Sequence, residues 1–488
     1  MKLEAEGRYE DYDAVFKEWE DSKIIELVPE SEIGEASHYL PHRGVFKEHS
    51  TTRVRPVFDA SSHEKGFPSL NDCLEKGPNL LEEIPPLLMR FRMDNIGVVS
   101  DIKKAFLQIS VVKEDRDFLR FLWWEDFEKK KFKIFRHKRV VFGLTCSPFL
   151  LSAVINAILE ASPSDIKDTA DSLKKSFYVD NCITSVPNQH KLEKFIQEST
   201  QLLHSACFDL RGWEYSHDNF TDGKPTHVLG LLWDKQQDSI FCDLNNIKEV
   251  KPILTRRCVL STVQKIFDPL GILCPVTLPP KIIVQHTWTL KIGWDTELPE
   301  NYRKEFLTWC DDLSLLNDVK IPRCLGMSDL KTEFSIHVFC DASKLAYSTV
   351  IFLRKVQEEK ISLHFIQAKS RVAPLHKMTI LRLELLACCI GARLASITIK
   401  AMDLKEVPII YWTNSSTTLC WIKREENWGV FVNNRVKEIR SLTEKTSWKH
   451  LPGEQSPADL PSRGCSANVF LKSKWWEGPP WLKLRVEE

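Results

Sequence analysis

The sequence lacks the marks of membrane, secreted and zinc-binding proteins. No run of about eighteen apolar residues occurs along the chain, so no membrane-spanning helix is predicted. None of its 14 cysteines stands in a Cys-x-x-Cys pair, which argues against a zinc site and against a disulfide framework. The first residues are polar and contain no signal-peptide core. Together these absences predict an intracellular protein, cytoplasmic or nuclear, with reduced thiols.

An excess of charge of one sign is also missing. The 67 basic and 67 acidic side chains leave a formal net charge of zero, so net charge gives no support to nucleic-acid binding. Locally, residues 129–139 interleave cations with aromatic side chains. That pattern suits a nucleic-acid surface, and it suits equally a solvated hairpin with its apolar side turned inward. The length of the chain allows about three domains of ordinary size.

Two aspartates mark a candidate metal site. The apolar run Ile96–Ser100 predicts a strand that ends at Asp101. Residues 176–186 predict two short strands joined by a tight turn at Asp180-Asn181, because both flanks are rich in β-branched and aromatic residues. Either aspartate alone is typical of an ordinary turn. Facing each other, an acid at a strand end and an acid at a hairpin tip can hold two magnesium ions for nucleotidyl transfer.

Other segments add candidate binding residues. A strand-like segment before residue 60 places Arg53 and Arg55 on one face, which suits either a triphosphate or cross-strand ion pairs. Gly143 would let a backbone approach a template or base closely, since it has no Cβ atom. Ser147 is predicted to cap a helix whose first residue is Pro148.

The second half of the sequence predicts two further blocks. Residues 246–330 are mostly helical, with a helix that stops at Pro269-Leu270-Gly271. From residue 331 the pattern is three strands, a helix, a strand, further helices and a final strand, with acids such as Asp341 at strand ends. The tail from residue 466 has no periodicity and predicts no element.

Seven motifs, in this order, resemble those of a known family. Three resemble the central motifs of retroelement reverse transcriptases: Asp101-Ile102-x-x-Ala105-Phe106, Phe142-Gly143-Leu144-x-x-Ser147-Pro148 and Tyr178-Val179-Asp180-Asn181. Four resemble the ribonuclease H domain that follows: Asp341-Ala342-Ser343, Arg382-Leu383-Glu384-Leu385, Trp412-Thr413-Asn414-Ser415 and Ala458-Asp459-Leu460-Pro461-Ser462-Arg463. The connector Phe267-Asp268-Pro269-Leu270-Gly271 and the last of these motifs resemble the Bel/Pao class of long-terminal-repeat retrotransposons. The segment after the polymerase resembles the Pao retrotransposon peptidase region, but no Asp-Thr/Ser-Gly motif occurs and no proteolysis is predicted.

The resemblance covers about residues 36 to 465 and implies a multidomain fold of α/β and α+β type. It implies a right-hand polymerase with fingers, palm and thumb, followed by a connector and a ribonuclease H-like domain. The expected domains are residues 1–36 as a helical lead-in, 37–245 as fingers and palm, 246–330 as a helical thumb and connection, 331–465 as the ribonuclease H-like domain and 466–488 as a tail.

The resemblance also implies roles for single residues of the polymerase. Asp101, Asp180 and the carbonyl group of Ile102 would bind two Mg²⁺ ions, with Mn²⁺ as a substitute. The ions would activate the primer 3′-hydroxyl group and neutralise charge on the leaving pyrophosphate. Arg53 and Arg55 would hold the triphosphate.

The resemblance implies four further roles. Phe106 would be a steric gate against a 2′-hydroxyl group, and the template and nucleotide pocket would be shaped by Phe142, Gly143 and Pro148. The primer grip would comprise Leu229, Gly230, Leu231, Leu232 and Trp233. The metal ions that cut RNA in an RNA–DNA hybrid would be bound by Asp341, Glu384 and Asp459.

Asn181 and Asn414 depart from the family pattern, which has Asp at both catalytic positions. An amide oxygen can still coordinate a hard cation. Each change nevertheless removes one negative charge, and a Coulomb partner lost at metal distance costs on the order of several kcal/mol. No His follows Pro452, which weakens the ribonuclease site further. The resemblance therefore implies an RNA-directed DNA polymerase with a tethered ribonuclease H-like domain, and the missing carboxylates indicate either a tolerant variant or an impaired one.

The expected partners are an RNA or DNA primer–template and deoxynucleoside triphosphates, with capsid and integrase parts of a retrotransposon polyprotein implied by the family. Two alternatives stay open. One is a catalytically silent remnant that binds primer–template without chemistry. The other is a structural host protein derived from the element.

Overall fold

The computed structural model describes residues 3, 6–46, 53–126, 131–217, 223–247, 253–328, 332–376 and 378–484. The chain divides into two compact units. Unit 1 comprises Met1–Glu82, Ser100–Cys182 and Glu193–Trp213, and unit 2 comprises Glu83–Val99, Ile183–Leu192 and Glu214–Glu488. Both units mix helices with sheets.

The helices and strands fall into two series. Up to residue 217 they are α1 (Tyr9–Asp21), β1 (Ile25–Leu27), β2 (His42–Phe46), β3 (Val54–Phe58), α2 (Leu70–Cys73), α3 (Ile84–Met93), β4 (Ile96–Ile102), β5 (Arg120–Asp126), β6 (Lys131–His137), α4 (Ser147–Glu160), α5 (Lys167–Lys174), β7 (Phe177–Tyr178), β8 (Asn181–Val186), α6 (Gln189–Ser205) and β9 (Leu210–Tyr215). Beyond it they are β10 (Thr226–Val228), β11 (Leu231–Asp234), β12 (Ser239–Cys242), α7 (Arg256–Lys265), α8 (Cys274–Thr289), α9 (Glu300–Asp312), β13 (Ile321–Pro322), β14 (Thr332–Ala342), β15 (Ala346–Gln357), β16 (Lys360–Val372), α10 (Ile380–Met402), β17 (Ile409–Thr413), α11 (Ser416–Lys423), α12 (Val430–Leu442), β18 (Trp448–His450), α13 (Asp459–Arg463) and α14 (Ala467–Ser473).

An aromatic core organises unit 1. Helix α1 contributes Tyr12, Phe16 and Trp19, which pack with Phe58 of β3 and Phe121 of β5. Strand β1 pairs antiparallel with β6 in a three-stranded sheet of order β1-β6-β5. The N-terminal segment was predicted as a helical lead-in, and that prediction was wrong in this respect. Its three-residue strand is too short to show alternation in the sequence, and its apolar side chains belong to the core.

The basic stretch predicted at residues 129–139 forms half of a hairpin. Lys129 and Lys130 lie outside the described residues, and the stretch continues as β6, antiparallel to β5. Arg136 is buried and forms ion pairs with Glu26 at 2.8 Å and with Asp117 at 3.0 Å. Part of the positive charge of residues 129–139 is therefore neutralised inside unit 1. This agrees with the alternative that the stretch forms a hairpin.

A five-stranded sheet dominates unit 2, in the order β16-β15-β14-β17-β18. The first three strands run antiparallel to one another, while β17 pairs parallel with both β14 and β18. Helix α10 packs on this sheet through an apolar face that includes Leu385, Cys388 and Ala392. The predicted sequence of three strands, a helix, a strand, helices and a final strand matches these elements.

The connector motif of unit 2, residues 267–271, lies in close contact with the backbone of β16. Both carboxylate oxygens of Asp268 accept hydrogen bonds, from the backbone N–H groups of Ile272 at 2.8 Å and Leu273 at 2.7 Å. The N–H group of Ala368 on β16 donates to the carbonyl group of Leu270, within the motif, at 2.7 Å. A Cβ atom on Gly271 would lie 2.0 Å from the carbonyl oxygen of Ala368, so only glycine fits there.

The C-terminal tail belongs to the core of unit 2, which the sequence did not predict. Phe470, Trp475 and Leu482 are buried in its largest hydrophobic cluster. The indole N–H group of Trp475 donates to the carbonyl group of Pro457 at 2.6 Å. The elements of the tail are one short helix and single turns, which are too short to give a periodic pattern.

All 14 cysteines are free, and no disulfide joins any of them. Within the described ranges no single helix is both long and apolar enough to cross a membrane. The helices Ser147–Glu160 and Ser164–Lys174, bent by 112° relative to each other, meet that test only as a pair.

Candidate active sites

Asp101 and Asp180 meet at one cavity of unit 1. Asp101 is the penultimate residue of β4, and Asp180 lies in the turn between β7 and β8. The N–H group of Ile102 donates to the carbonyl group of Asp180 at 2.9 Å, which ties the strand end to the turn. Both side chains line a cavity of about 130 Å³, whose other walls include Arg55, Lys104, Phe142 and Arg211.

The turn differs by one residue from the predicted one. Tyr178 pairs with Asn181 across the hairpin, so the two turn residues are Val179 and Asp180 and not Asp180 and Asn181. The positive φ, +58°, falls on Val179, a β-branched residue that rarely adopts it. Asn181 already belongs to β8, where its amide Nδ2 donates to Oδ1 of Asp180 at 3.1 Å.

The electrostatics of this pair favour a cation. Burial raises the pKa of Asp180, and the negative charge of Asp101 raises it further, while Arg55 acts in the opposite direction. Asp101 is more open, with 44% of its side chain exposed, and its Oδ2 lies 3.4 Å from Nε of Arg211. A buried carboxylate that a neighbouring carboxylate makes harder to charge gains from a positive ion in the same cavity.

The residues at the cavity fit a Mg²⁺ ion that is only partly coordinated by the protein. Mg²⁺ is commonly held by one or two carboxylates together with substrate phosphates and water. Asp101, Asp180 and Ile102 line the same cavity, in agreement with that donor set. Across the part of the chain that the structure describes, no group of three or more His, Cys, Asp and Glu side chains is arranged to hold a metal.

The predicted nucleotide-binding residues divide into those at the cavity and those away from it. Arg55 and Phe142 line it, and the ring of Phe142 is 43% exposed. Phe106 is buried behind it, with the two ring centroids 4.6 Å apart in an edge-on contact. Arg53 lies just before β3 and is exposed, and Pro148 is the second residue of α4; neither lines the cavity.

Gly143 and Ser147 both contact carbonyl groups of the protein backbone. A Cβ atom on Gly143, whose φ is +107°, would lie 2.3 Å from the carbonyl oxygen of Phe58. The carbonyl group of Gly143 accepts from Nδ2 of Asn71 at 2.9 Å. Ser147 was predicted as a helix cap, which was wrong: it is the first residue of α4, and its hydroxyl group donates to the carbonyl group of Val141 at 2.8 Å.

The predicted primer grip forms a hairpin in unit 2. Leu229 and Gly230, with φ of +47° and +89°, make the turn between β10 and β11. Leu231 and Trp233 are fully buried, with the indole of Trp233 donating to Asp238 at 3.1 Å. Leu229, Gly230 and Leu232 are therefore the members that a ligand can reach.

A second acid site lies at the end of β14 in unit 2. Asp341 is only 2% exposed; its Oδ1 accepts from Nδ2 of Asn414 at 2.7 Å and its Oδ2 accepts from the hydroxyl group of Ser462 at 3.1 Å. Burial, together with the charge of Asp459, raises the pKa of Asp341 to about 6. Asp459 is paired with Arg463, whose Nε lies 2.6 Å from its Oδ1.

Two buried oxygen atoms at this second site have no hydrogen-bond partner among the described residues: Oε2 of Glu384 and Oδ1 of Asn414. Burial raises the pKa of Glu384, and a hydrogen bond with Ser415 acts in the opposite direction. Unpaired buried oxygens beside a buried carboxylate fit a cation ligand set. His450, which precedes Pro452 and was not predicted as part of the site, has its Nε2 3.2 Å from the carbonyl oxygen of Asn414.

Sequence reasoning missed Lys104 and Arg211 at the first site. Lys104 stands inside a recognised motif but at one of its variable positions, and its Nζ lies 2.5 Å from Glu18 of α1. Arg211 comes from β9, a strand that no motif had marked. Only the order of strands in the sheet, β7-β8-β4-β9, brings it next to Asp101.

The strand-end acid pair of unit 1 and the mixed five-stranded sheet of unit 2, with acids at its strand ends, are the arrangement expected of a polymerase followed by a ribonuclease H-like domain. Two family models agree with this class. Residues 48–211 match the family described as reverse transcriptase (RNA-dependent DNA polymerase), and residues 255–415 match the Pao retrotransposon-like RNaseH-like domain. The chain carries both domains, which confirms the recognition made from the seven motifs. The second match begins inside the segment predicted as thumb and connection.

Solved structures share the fold. A foamy viral protease-reverse transcriptase dRH in complex with double-stranded DNA aligns with a TM-score of 0.58 at 14% identity, over 89% of this chain and 68% of that one. The foamy viral enzyme with an RNA/DNA hybrid aligns at 0.57 and 13%, over 91% and 54%. With double-stranded DNA it aligns at 0.56 and 15%, over 90% and 81%. No curated protein sequence matches this chain.

Proposed function

We propose that this protein is an RNA-directed DNA polymerase that extends a primer on an RNA or DNA template by nucleotidyl transfer. The observation that carries the proposal is the convergence of Asp101 and Asp180 on one cavity, joined by a backbone hydrogen bond of 2.9 Å. The foamy viral relatives of similar fold bind double-stranded DNA and an RNA/DNA hybrid, and we propose the same class of substrate here. Capsid and integrase parts of a polyprotein are the proposed intracellular partners.

The side chains around the cavity would bind different parts of the substrate and the ions. Asp101 and Asp180, with the carbonyl group of Ile102, would hold the divalent ions. When bound, such ions supply the positive charge that favours deprotonation of the primer hydroxyl group and departure of pyrophosphate. Arg55 binds triphosphate oxygens, since a guanidinium group pairs with phosphate through two parallel hydrogen bonds. The exposed ring of Phe142 packs against the sugar and base of the nucleotide.

We propose that the ribonuclease H-like site of unit 2 is impaired. Asn414 replaces a carboxylate and donates its amide N–H group directly to Asp341 at 2.7 Å. That contact uses a carboxylate oxygen which an ion would otherwise take. Glu384 and Asp459 would complete the ligand set, with one negative charge fewer than the family pattern supplies.

Primer extension on an RNA template with Mg²⁺ tests the polymerase assignment. Wild-type protein is expected to extend the primer. Asp180→Asn is expected to reduce extension by about 100-fold or more, since a metal ligand matters at least as much as the outer groups that orient it. Asp165→Asn, an exposed aspartate of the same unit, is the matched control and should behave as wild type. Extension that survives Asp180→Asn would refute the assignment.

A catalytically silent remnant is the second candidate, and Asn181 is the observation that favours it. The amide of Asn181 satisfies Asp180 at 3.1 Å without adding the negative charge that the family pattern has. This candidate predicts that wild-type protein binds a primer–template hybrid but does not extend it, and that Asn181→Asp restores extension. Extension by wild-type protein excludes it.

A further inference from the structure

Arg211 is a cation held against the first candidate metal ligand. It lies on β9, the neighbour of β4 in the sheet. Its Nε is 3.4 Å from Oδ2 of Asp101, and 32% of its side chain is exposed. At that distance and exposure the ion pair is loose, and solvent screens it, so a competing cation can exchange with it.

The next residue on β9 keeps the other oxygen of Asp101 open. Gly212 has a φ of +63°, and a Cβ atom there would lie 3.0 Å from Oδ1 of Asp101. Any larger residue would therefore combine backbone strain with crowding of that oxygen. Strand β9 thus covers Oδ2 with a positive charge and leaves Oδ1 clear.

The other cations of the cavity are engaged differently. Nζ of Lys104 pairs with Glu18 at 2.5 Å, outside the acid pair, and Arg55 acts on Asp180. Among the described residues, Asp101 is the one acid with which Arg211 forms an ion pair. Asp180 is satisfied by the neutral amide of Asn181. Asp101 is thus paired with the charged side chain of Arg211, whereas Asp180 accepts from a neutral amide and is also affected by the charge of Arg55.

We propose that Arg211 is the internal counter-cation of Asp101 in the substrate-free protein, and that a divalent ion which binds at the open Oδ1 competes with Arg211 for the charge of that carboxylate. This inference rests on the proposed function and deepens it. The released guanidinium group stays in the same cavity, where its N–H donors suit the phosphate oxygens of an incoming nucleotide. Arg211 is thus a positioning residue, and through it nucleotide binding and ion binding strengthen each other.

Binding of Mn²⁺ alone to the full-length, substrate-free protein, measured by electron paramagnetic resonance, tests the inference. Arg211→Gln is expected to tighten Mn²⁺ binding roughly five- to ten-fold, the effect of removing one unit charge a few ångströms away. Arg211→Lys, which keeps the charge, should stay near wild type. Arg43→Gln removes an exposed arginine of the same unit as the matched control and should change nothing.

A second arm adds a deoxynucleoside triphosphate. Nucleotide should tighten Mn²⁺ binding to wild-type protein more than to Arg211→Gln, so that the two affinities converge. Unchanged or weaker Mn²⁺ binding in Arg211→Gln, while Asp101→Asn weakens it, would overturn this inference alone. If Asp101→Asn also leaves Mn²⁺ binding unchanged, the metal site itself is wrong and the proposed function fails with it.

Discussion

Asp101 in unit 1 and Asp341 in unit 2 both lie at the end of a strand, yet their surroundings differ. Asp101 has 44% of its side chain exposed and is paired loosely with Arg211. Asp341 is 2% exposed, accepts two hydrogen bonds from side chains, and has its pKa raised to about 6 by burial and by Asp459. An open acid is in contact with water and accessible to an incoming cation, whereas a buried one needs partners within the protein.

The same replacement of Asp by Asn therefore has different consequences in the two sites. Asn181 is exposed, and its amide group donates a hydrogen bond of 3.1 Å to the neighbouring Asp180. Asn414 is half-buried and donates to Asp341 at 2.7 Å, while its own Oδ1 has no partner among the described residues. The comparison teaches that the missing charge matters more where water cannot replace it.

The largest expected effect separates the two sites. Asp101→Asn should reduce primer extension by about 100-fold or more, while Asp341→Asn should leave it within about two-fold, because each acid would serve a different reaction. Extension rates at saturating nucleotide measure both. Equal losses in the two variants would show that the sites do not act separately.

Buried histidines extend the comparison to stability. Burial lowers the pKa of His137 in unit 1 to about 3 and that of His337 in unit 2 to about 4. Neither therefore costs its unit stability through protonation above pH 6.5, the ordinary value, and each costs more as the pH falls from there toward the folded-state pKa. At pH 5 each should cost about 2 kcal/mol relative to pH 8.

Replacement by Phe distinguishes the two histidines. Neither ring nitrogen of His137 has a partner among the described residues, so His137→Phe should stabilise unit 1 by about 1 kcal/mol at neutral pH and more at pH 5. His337 accepts from the indole of Trp412 at 3.1 Å, so His337→Phe should destabilise unit 2 by about 1 kcal/mol at neutral pH. Amide hydrogen exchange in β6 and β14 measures the two effects, and the same sign in both would contradict this account.

Restoring a carboxylate should help the second site more than the first. Asn414→Asp is expected to raise Mg²⁺-dependent cleavage of an RNA–DNA hybrid about ten-fold. Asn181→Asp should change primer extension by a smaller factor, because its side chain is solvated. Asn433→Asp, an analogous change on α12, serves as the control. A larger gain at residue 181 than at residue 414 would reverse the comparison.

The smallest expected effect concerns backbone strain at the first site. Val179 adopts a φ of +58° in the turn that carries Asp180, whereas Asp403 of unit 2 adopts +52° at the end of α10. Val179→Asn should stabilise unit 1 by about 1 kcal/mol, since Asn tolerates this conformation and a β-branched residue does not. Asp403→Asn should have almost no effect. Thermal unfolding measures the stability of both variants. A destabilised Val179→Asn would indicate that the strain is absent.

The acid pair and the order of elements in the ribonuclease H-like domain could be predicted from sequence. Asp101 ends an apolar run and Asp180 lies between two β-branched segments, so local pattern was enough to place both. The strands and the long helix of unit 2 carry clear alternation and an apolar face. These signals depend on neighbours along the chain and need no knowledge of the fold.

Other parts of the site depend on contacts between distant segments. Arg211 reaches Asp101 only because β9 lies beside β4. The turn shifted to Val179-Asp180 because the strand register, and not the usual preference for Asn, fixed it. The N-terminal strand and the C-terminal tail are too short to show a period, although both fill hydrophobic cores. Packing, which sequence patterns do not encode locally, decided all four.

A double-mutant cycle on primer extension tests the central claim, that Asp101 and Asp180 act together as one cation site. The rates to compare are those of wild type, Asp101→Asn, Asp180→Asn and the double variant, on an RNA template with Mg²⁺. The account predicts that the double variant loses about as much as the worse single variant, as groups that act as a unit do. Losses that multiply would show two independent contributions and contradict it.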